Sequence, residues 1–107
     1  MTETAPITKE KTKQTLASMY KVIMHNDDYT PMDFVVNVLT DIYKKNEAQA
    51  NGLMLKIHNE GCAIVGIYTR EIAETKQEMT HQAAQKEGYP LRCTIEPETP
   101  VNKISFN

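Results

Sequence analysis

Tyr20-Lys21-Val22-Ile23-Met24-His25-Asn26-Asp27-Asp28-Tyr29-Thr30-Pro31-Met32-Asp33 holds a strand, a polar turn and a helix start in one short stretch. Tyr20 to Met24 leans to β structure, with Val22 and Ile23 inside it. Asn26, Asp27 and Asp28 then place several oxygen acceptors in one turn. Thr30 reads as a helix cap, Pro31 as the first helical residue and Asp33 as the acid at the third position. An acid there also suits the positive end of the helix dipole.

Outward from this stretch, Val35, Val38, Leu39 and Ile42 recur at helical spacing and predict an amphipathic helix to about Lys44. Ala50, Leu53, Met54 and Ile57 repeat the pattern, which predicts a second helix over Glu47–Asn59. Asn51-Gly52 opposes it, because Gly weakens a helix by about 1 kcal/mol, yet the stripe crosses the pair in phase. Gly61 suits a left-handed stop. Ala63-Ile64-Val65-Gly66-Ile67-Tyr68 is nearly all apolar and reads as a central strand. Thr69 can cap a third helix from Arg70 to about Glu87, closed by Gly88, with an inner stripe of Ile72, Met79 and Ala83. Leu91, Cys93 and Ile95 alternate with Arg92, Thr94 and Glu96, as a half-buried strand does. The order is β-α-α-β-α-β. It predicts a small single α+β domain, with three helices packed on one face of a three-stranded antiparallel sheet. Residues 1–18 carry almost no apolar side chains and read as a flexible arm. The core domain spans 19–97, and 98–107 reads as a C-terminal tail.

The chain has 107 residues, enough for one domain. Its net charge of −2, from 14 acidic and 12 basic residues, speaks against nucleic acid, whose binders carry a basic stripe. With 5 Tyr, 2 Phe and no Trp, a base-stacking platform is also disfavoured. Cys62 and Cys93 make neither a zinc set nor a disulfide framework, and each sits in an apolar run that predicts a buried thiol. No run reaches the roughly 20 apolar residues of a membrane span, and no signal-peptide core precedes the first strand. These features predict a cytoplasmic protein.

Catalysis finds little support. Asp27 and Asp28 are adjacent, so their side chains need not converge. There is no glycine-rich phosphate loop and no nucleophile motif, and no enzyme is expected. No cofactor and no metal are expected either, because His25 and His81 lack partners at ligand spacing. On chemistry alone the acidic turn reads first as a solvated strand-to-helix connection. His58 lies one turn after Met54 and next to Ile57, more often a structural position than a ligand. Met32, Met54 and Met79 are most simply core, and an adaptable Met-lined pocket is the minority reading. Glu71, Glu74 and Lys76 are most simply an exposed charged face, with a docking surface as the alternative.

Together these residues resemble the ClpS family, the bacterial adaptors of the N-degron pathway. The likeness runs from Tyr20 to Met32 and through Leu53-Met54-Leu55 to His58 and Gly61. It returns at Gly66-Ile67-Tyr68-Thr69-Arg70-Glu71-Ile72-Ala73-Glu74-Thr75-Lys76 and ends at Pro90-Leu91-Arg92-Cys93-Thr94-Ile95-Glu96. The resemblance implies a non-enzymatic adaptor. It would bind substrates that begin with Leu, Phe, Tyr or Trp and deliver them to a ClpA-type AAA+ unfoldase, which feeds the ClpP protease. It would work as a monomer without a cofactor.

By the same resemblance, Asn26, Asp27 and His58 would hold the substrate's α-amino group. Thr30, Met32, Val35, Met54, Ile57 and Leu91 would wall a pocket for the first side chain. Met32 matches the family's gatekeeper against β-branched residues, and Glu71 and Lys76 match positions facing the unfoldase. Chemistry suits the clamp. An α-amino group titrates near 7.7–8.0 and is largely cationic at neutral pH, and amide and carboxylate oxygens accept well from its donors. Asp28 is left unassigned. Gly52, Glu60, Cys62 and the long tail depart from the family pattern away from the clamp. The alternative is an interaction domain that docks on another assembly through helix three.

Overall fold

The computed structural model describes residues 19–98. The expected arm, 1–18, and the expected tail apart from Glu98 lie outside the described residues. Six elements follow in the expected order: β1 Met19–His25, α1 Met32–Asp41, α2 Glu47–Glu60, β2 Cys62–Thr69, α3 Arg70–Glu87 and β3 Arg92–Pro97. The sheet is antiparallel, with strand order β2-β1-β3. Val22 and Met24 of β1, Val65 of β2 and Cys93 of β3 are fully buried, and they form one core with residues of α1 and α2 and the alanines of α3.

Two strand expectations change. The central strand is β1, and the apolar run of β2 lies at an edge. Since β2 and β3 both run antiparallel to β1, they are parallel to each other, and β1 fills the slot between them. The helices cover one face, so Ile64 and Ile67 of β2 remain 46% and 44% exposed. A bulge re-phases this strand. Val22 pairs with Gly66 but Ile23 pairs with Ile64, which leaves Val65 as the extra residue. Ala63 and Val65 therefore face the core, while Ile67 turns out and Tyr68 packs against the core in its place. Gly66 suits the spot, since a Cβ there would collide with the Tyr68 ring.

The helix ends show where local signals compete. Pro31, not Thr30, is the N-cap of α1. Its backbone is extended, with φ −66 and ψ 144, while its carbonyl accepts from the N–H groups of Phe34 and Val35. Thr30 turns its hydroxyl back to Asp27 instead. The helix stops at Asp41, short of Lys44, which sits at φ 57, a left-handed position that ends helical geometry. At α2, Asn46 and Gln49 form a reciprocal capping box, with Asn46 Oδ1 accepting from Gln49 N–H at 2.8 Å. The Asn-x-x-Gln spacing was the available signal for that start. Gly52 stands mid-helix with open space around it.

The inner stripe of α3 also differs from expectation. Ala73, Thr80 and Ala84 are buried, whereas Ile72 and Met79 are 47% and 44% exposed and Ala83 is half-buried. Small residues let the helix approach closely, and Thr80 enters the core because its hydroxyl is paired. It donates to Lys76 O at 2.8 Å and bonds the Tyr43 hydroxyl at 2.8 Å. Cys93 is buried as expected, but Cys62 is exposed at the start of the edge strand.

Candidate functional site

Where β1 ends, the Asn26 N–H donates to the Gly61 carbonyl at 2.9 Å. Gly61 caps α2 in the left-handed region, φ 95, and its own N–H donates to Ile57 O at 2.9 Å. This pair of bonds draws the acidic turn against the last turn of α2, where His58 sits. Two segments far apart in the chain thereby meet.

Within the turn, Asp27 is the organiser. Its Oδ1 accepts from the N–H groups of Tyr29 at 2.8 Å and Thr30 at 2.7 Å. Its Oδ2 accepts from the Thr30 hydroxyl at 2.8 Å. Partial burial pushes the carboxyl up, but the bonds from Thr30 and Tyr29 outweigh it and hold the group below its ordinary value of 3.8. A carboxylate has roughly four acceptor positions, so the turn itself takes up most of this one. Asp28, to which sequence reasoning assigned no role, takes no part in these bonds. It is exposed and makes no side-chain hydrogen bond among the described residues.

A cavity of about 290 Å³ opens between this turn, α1 and α2. Asn26, Asp27, Asp28, Thr30, Met32, Val35, Met54, Ile57 and His58 line it. Its volume lies near the lower end of ligand sites, roughly 300 Å³. The lining is graded. Val35 and Ile57 are buried, Met54 and Thr30 are half-buried, and Asn26, Asp28 and His58 are exposed. Met32 stands in the first turn of α1 at 43% exposure, beside the opening. Such a site has an apolar interior and a polar, acceptor-rich rim. It can take a bulky apolar group whose near end carries a cationic donor.

Known proteins match both the sequence and this shape. Residues 15–94 match the family described as ATP-dependent Clp protease adaptor protein ClpS. The chain belongs to the ClpS family. An ATP-dependent Clp protease adapter protein ClpS from Desulfatibacillum aliphaticivorans is 47% identical over 92 residues, 86% of this chain and 88% of that protein. Another, from Oleidesulfovibrio alaskensis, is 53% identical over 77 residues, 72% of this chain and 74% of that one. The solved structure of Agrobacterium tumefaciens ClpS2 bound to L-phenylalaninamide superposes with a TM-score of 0.74 at 39% identity. That likeness covers 77% of this chain and 99% of that one. The chain is thus a ClpS adaptor and not an enzyme, with the three-helix, three-stranded fold expected of it.

The ClpS fold brings eight of the nine expected ligand-site residues to one cavity: Asn26, Asp27, His58, Thr30, Met32, Val35, Met54 and Ile57. Leu91 does not line it. Leu91 is buried at the entry to β3, beside a shallow depression with Tyr89 and His81. Sequence reasoning gave Asp28 no place in the cavity, although its position next to Asp27 was the available signal. His25 bonds Thr94 Oγ1 through Nε2 at 2.9 Å, and His81 Nε2 accepts from Cys93 N–H at 3.1 Å. That leaves His58 as the histidine of the cavity. Among the described residues no three His, Cys, Asp or Glu side chains are placed to hold a metal ion. No helix among them is long and apolar enough to cross a membrane. On α3, Glu71 is exposed, whereas the Lys76 ammonium donates to Ile42 O at 2.7 Å and lies 5.6 Å from the Tyr68 ring centroid.

Proposed function

We propose that this adaptor binds the free α-amino group and bulky hydrophobic first residue (Leu, Phe, Tyr or Trp) of N-degron substrates. It then delivers them to a ClpA-type unfoldase of the ClpAP protease. The observation that carries this reading is the single cavity in which Asn26, Asp28 and His58 rim an apolar interior of Val35, Met54 and Ile57. The ligand of Agrobacterium ClpS2 has the same two features, a free amine and an aromatic side chain. A primary ammonium offers three donors, and Asn26, a carboxylate and a neutral His58 offer three acceptors of suitable types. Because Asp27 is engaged by its own turn, Asp28 is the carboxylate free to meet the charge.

The apolar interior adds affinity of about 1.5–3 kcal/mol for a fully buried Leu or Phe side chain. That does not distinguish a chain terminus from an internal residue, so the amine contacts supply the selectivity. Met32 narrows the opening and disfavours β-branched first residues. Toward the unfoldase, the exposed face of α3 around Glu71 and Ile72 is the docking surface, and Lys76 braces that helix against the end of α1.

Fluorescence anisotropy with peptides beginning in Leu or Phe tests the reading. Tight binding that is lost on N-acetylation is expected, because acetylation removes the charge and two donors. Equal binding of free and acetylated peptides refutes it.

A further inference from the structure

We propose that Asp27 is a positioning residue, whose side chain fixes the turn so that Asn26 and Asp28 meet the substrate's α-amino group, and that it acts as a hydrogen-bond acceptor rather than as the partner of the charge. The inference rests on the amine-binding reading above.

The geometry is that of a locked turn. One oxygen of Asp27 bridges two consecutive backbone N–H groups, and the other holds the Thr30 hydroxyl. The residue before it is pinned separately, through Asn26 N–H to Gly61 O. Asn26 and Asp28 thus flank a fixed residue, and both reach the cavity rim with exposed side chains. Holding recognition groups in place before the ligand arrives removes the ordering cost from binding.

An amide can do the same work. Asn at position 27 retains a carbonyl oxygen for the Tyr29 and Thr30 N–H groups, as in an ordinary Asx turn. Its NH₂ then faces Thr30 Oγ1, which can accept as readily as it donates. All three contacts survive with one reversed in direction. An amide at position 28 retains an acceptor but no charge for the ammonium.

The test compares binding of a free Phe-starting peptide by Asp27→Ala, Asp27→Asn and Asp28→Asn. Asp27→Ala is expected to lose about tenfold or more in affinity, Asp27→Asn to recover to within about threefold of the parent, and Asp28→Asn to lose about tenfold or more. The opposite pattern, in which Asp27→Asn binds as poorly as Asp27→Ala while Asp28→Asn binds normally, makes Asp27 the charge partner and overturns the proposal. A second measurement needs no peptide. In the free protein, the Tyr29 and Thr30 amide resonances should move together as the Asp27 carboxyl titrates, and Asp27→Ala should abolish that movement. Amides that ignore the titration overturn the proposal even if binding behaves as expected. If the parent fails to distinguish free from acetylated peptide, the N-degron reading falls, and the resonances still decide the role of Asp27 in the turn.

Discussion

The Asn26 N–H and the Gly61 carbonyl meet at 2.9 Å, joining the end of β1 to the cap of α2. Asn26 begins the acceptor-rich turn, and Gly61 stands three residues after His58. This bond, next to the His25–Cys62 pairing of β1 with β2 and together with Gly61 N–H to Ile57 O, sets the spacing between the two polar sides of the cavity. It is available because Gly61 adopts φ 95, which turns the chain sharply out of the helix.

Gly61→Ala should expose that dependence. No atom blocks a Cβ at this position, so the penalty is conformational, about 1–2 kcal/mol for an L-residue in the left-handed region. Urea unfolding should show a midpoint shifted by that amount with an unchanged slope. Peptide affinity should fall as well, since Asn26 loses its anchor. Unchanged stability would mean that the turn finds another way out of the helix.

Met32→Ala should broaden specificity with little loss of stability. Met32 is 43% exposed at the edge of the cavity, so truncation removes few core contacts and should cost below about 1 kcal/mol. Peptides beginning with Ile or Val should then bind measurably, as read by anisotropy. Continued exclusion of both would show that another residue screens the first side chain.

Tyr43 and Thr80 should behave as one unit. Their hydroxyls lie 2.8 Å apart in the core, with Cys93 Sγ 3.6 Å from Tyr43 Oη. Thr80→Val leaves the buried Tyr43 hydroxyl without its best partner, at a cost of about 1–3 kcal/mol. In a thermal-unfolding cycle, Tyr43→Phe with Thr80→Val should cost less than the sum of the single changes. Simple additivity would mean that the two groups are satisfied independently.

Stability should decline at both pH extremes for separate reasons. Asp27 has a folded pKa below its ordinary 3.8, so its contribution is present above that value and is lost as pH falls through the folded pKa. Tyr43 is pushed far above its ordinary 10.0, chiefly by burial. Its neutral form is the folded one, so stability is complete below pH 10 and falls as pH rises beyond it. Denaturant midpoints across pH should show both limbs. Asp27→Asn should flatten the acid limb, and Tyr43→Phe the alkaline one.

Much of this was legible in the chain. The spacing of Val35, Val38, Leu39 and Ile42, and of Ala50, Leu53, Met54 and Ile57, marked the core faces of α1 and α2; Leu53 and Met54 are half-buried and the other six are buried. Thr69, Gly61 and Gly88 marked helix ends where the structure has them. These signals are local, because caps and periodicity depend on neighbours within a turn or two. Misreadings arose where distant groups decide. Thr80 displaced Ile72 and Met79 from the inner stripe because Tyr43, from the connection between α1 and α2, satisfies its hydroxyl. Thr30 lost its capping role because Asp27 holds its side chain.

The site divides in the same way. Residue types and spacing by themselves determined the fold class, and family likeness determined the adaptor family and nominated Asn26, Asp27, Thr30, Met32, Val35, Met54, Ile57, His58 and Leu91 for the site. Tertiary structure alone decided that eight of these line one cavity, that Leu91 stands apart from it, and which of two adjacent aspartates is free. Asp27 and Asp28 are identical as side chains. They differ only in which one the folded turn surrounds with donors, and that depends on backbone directions that no one-dimensional pattern records.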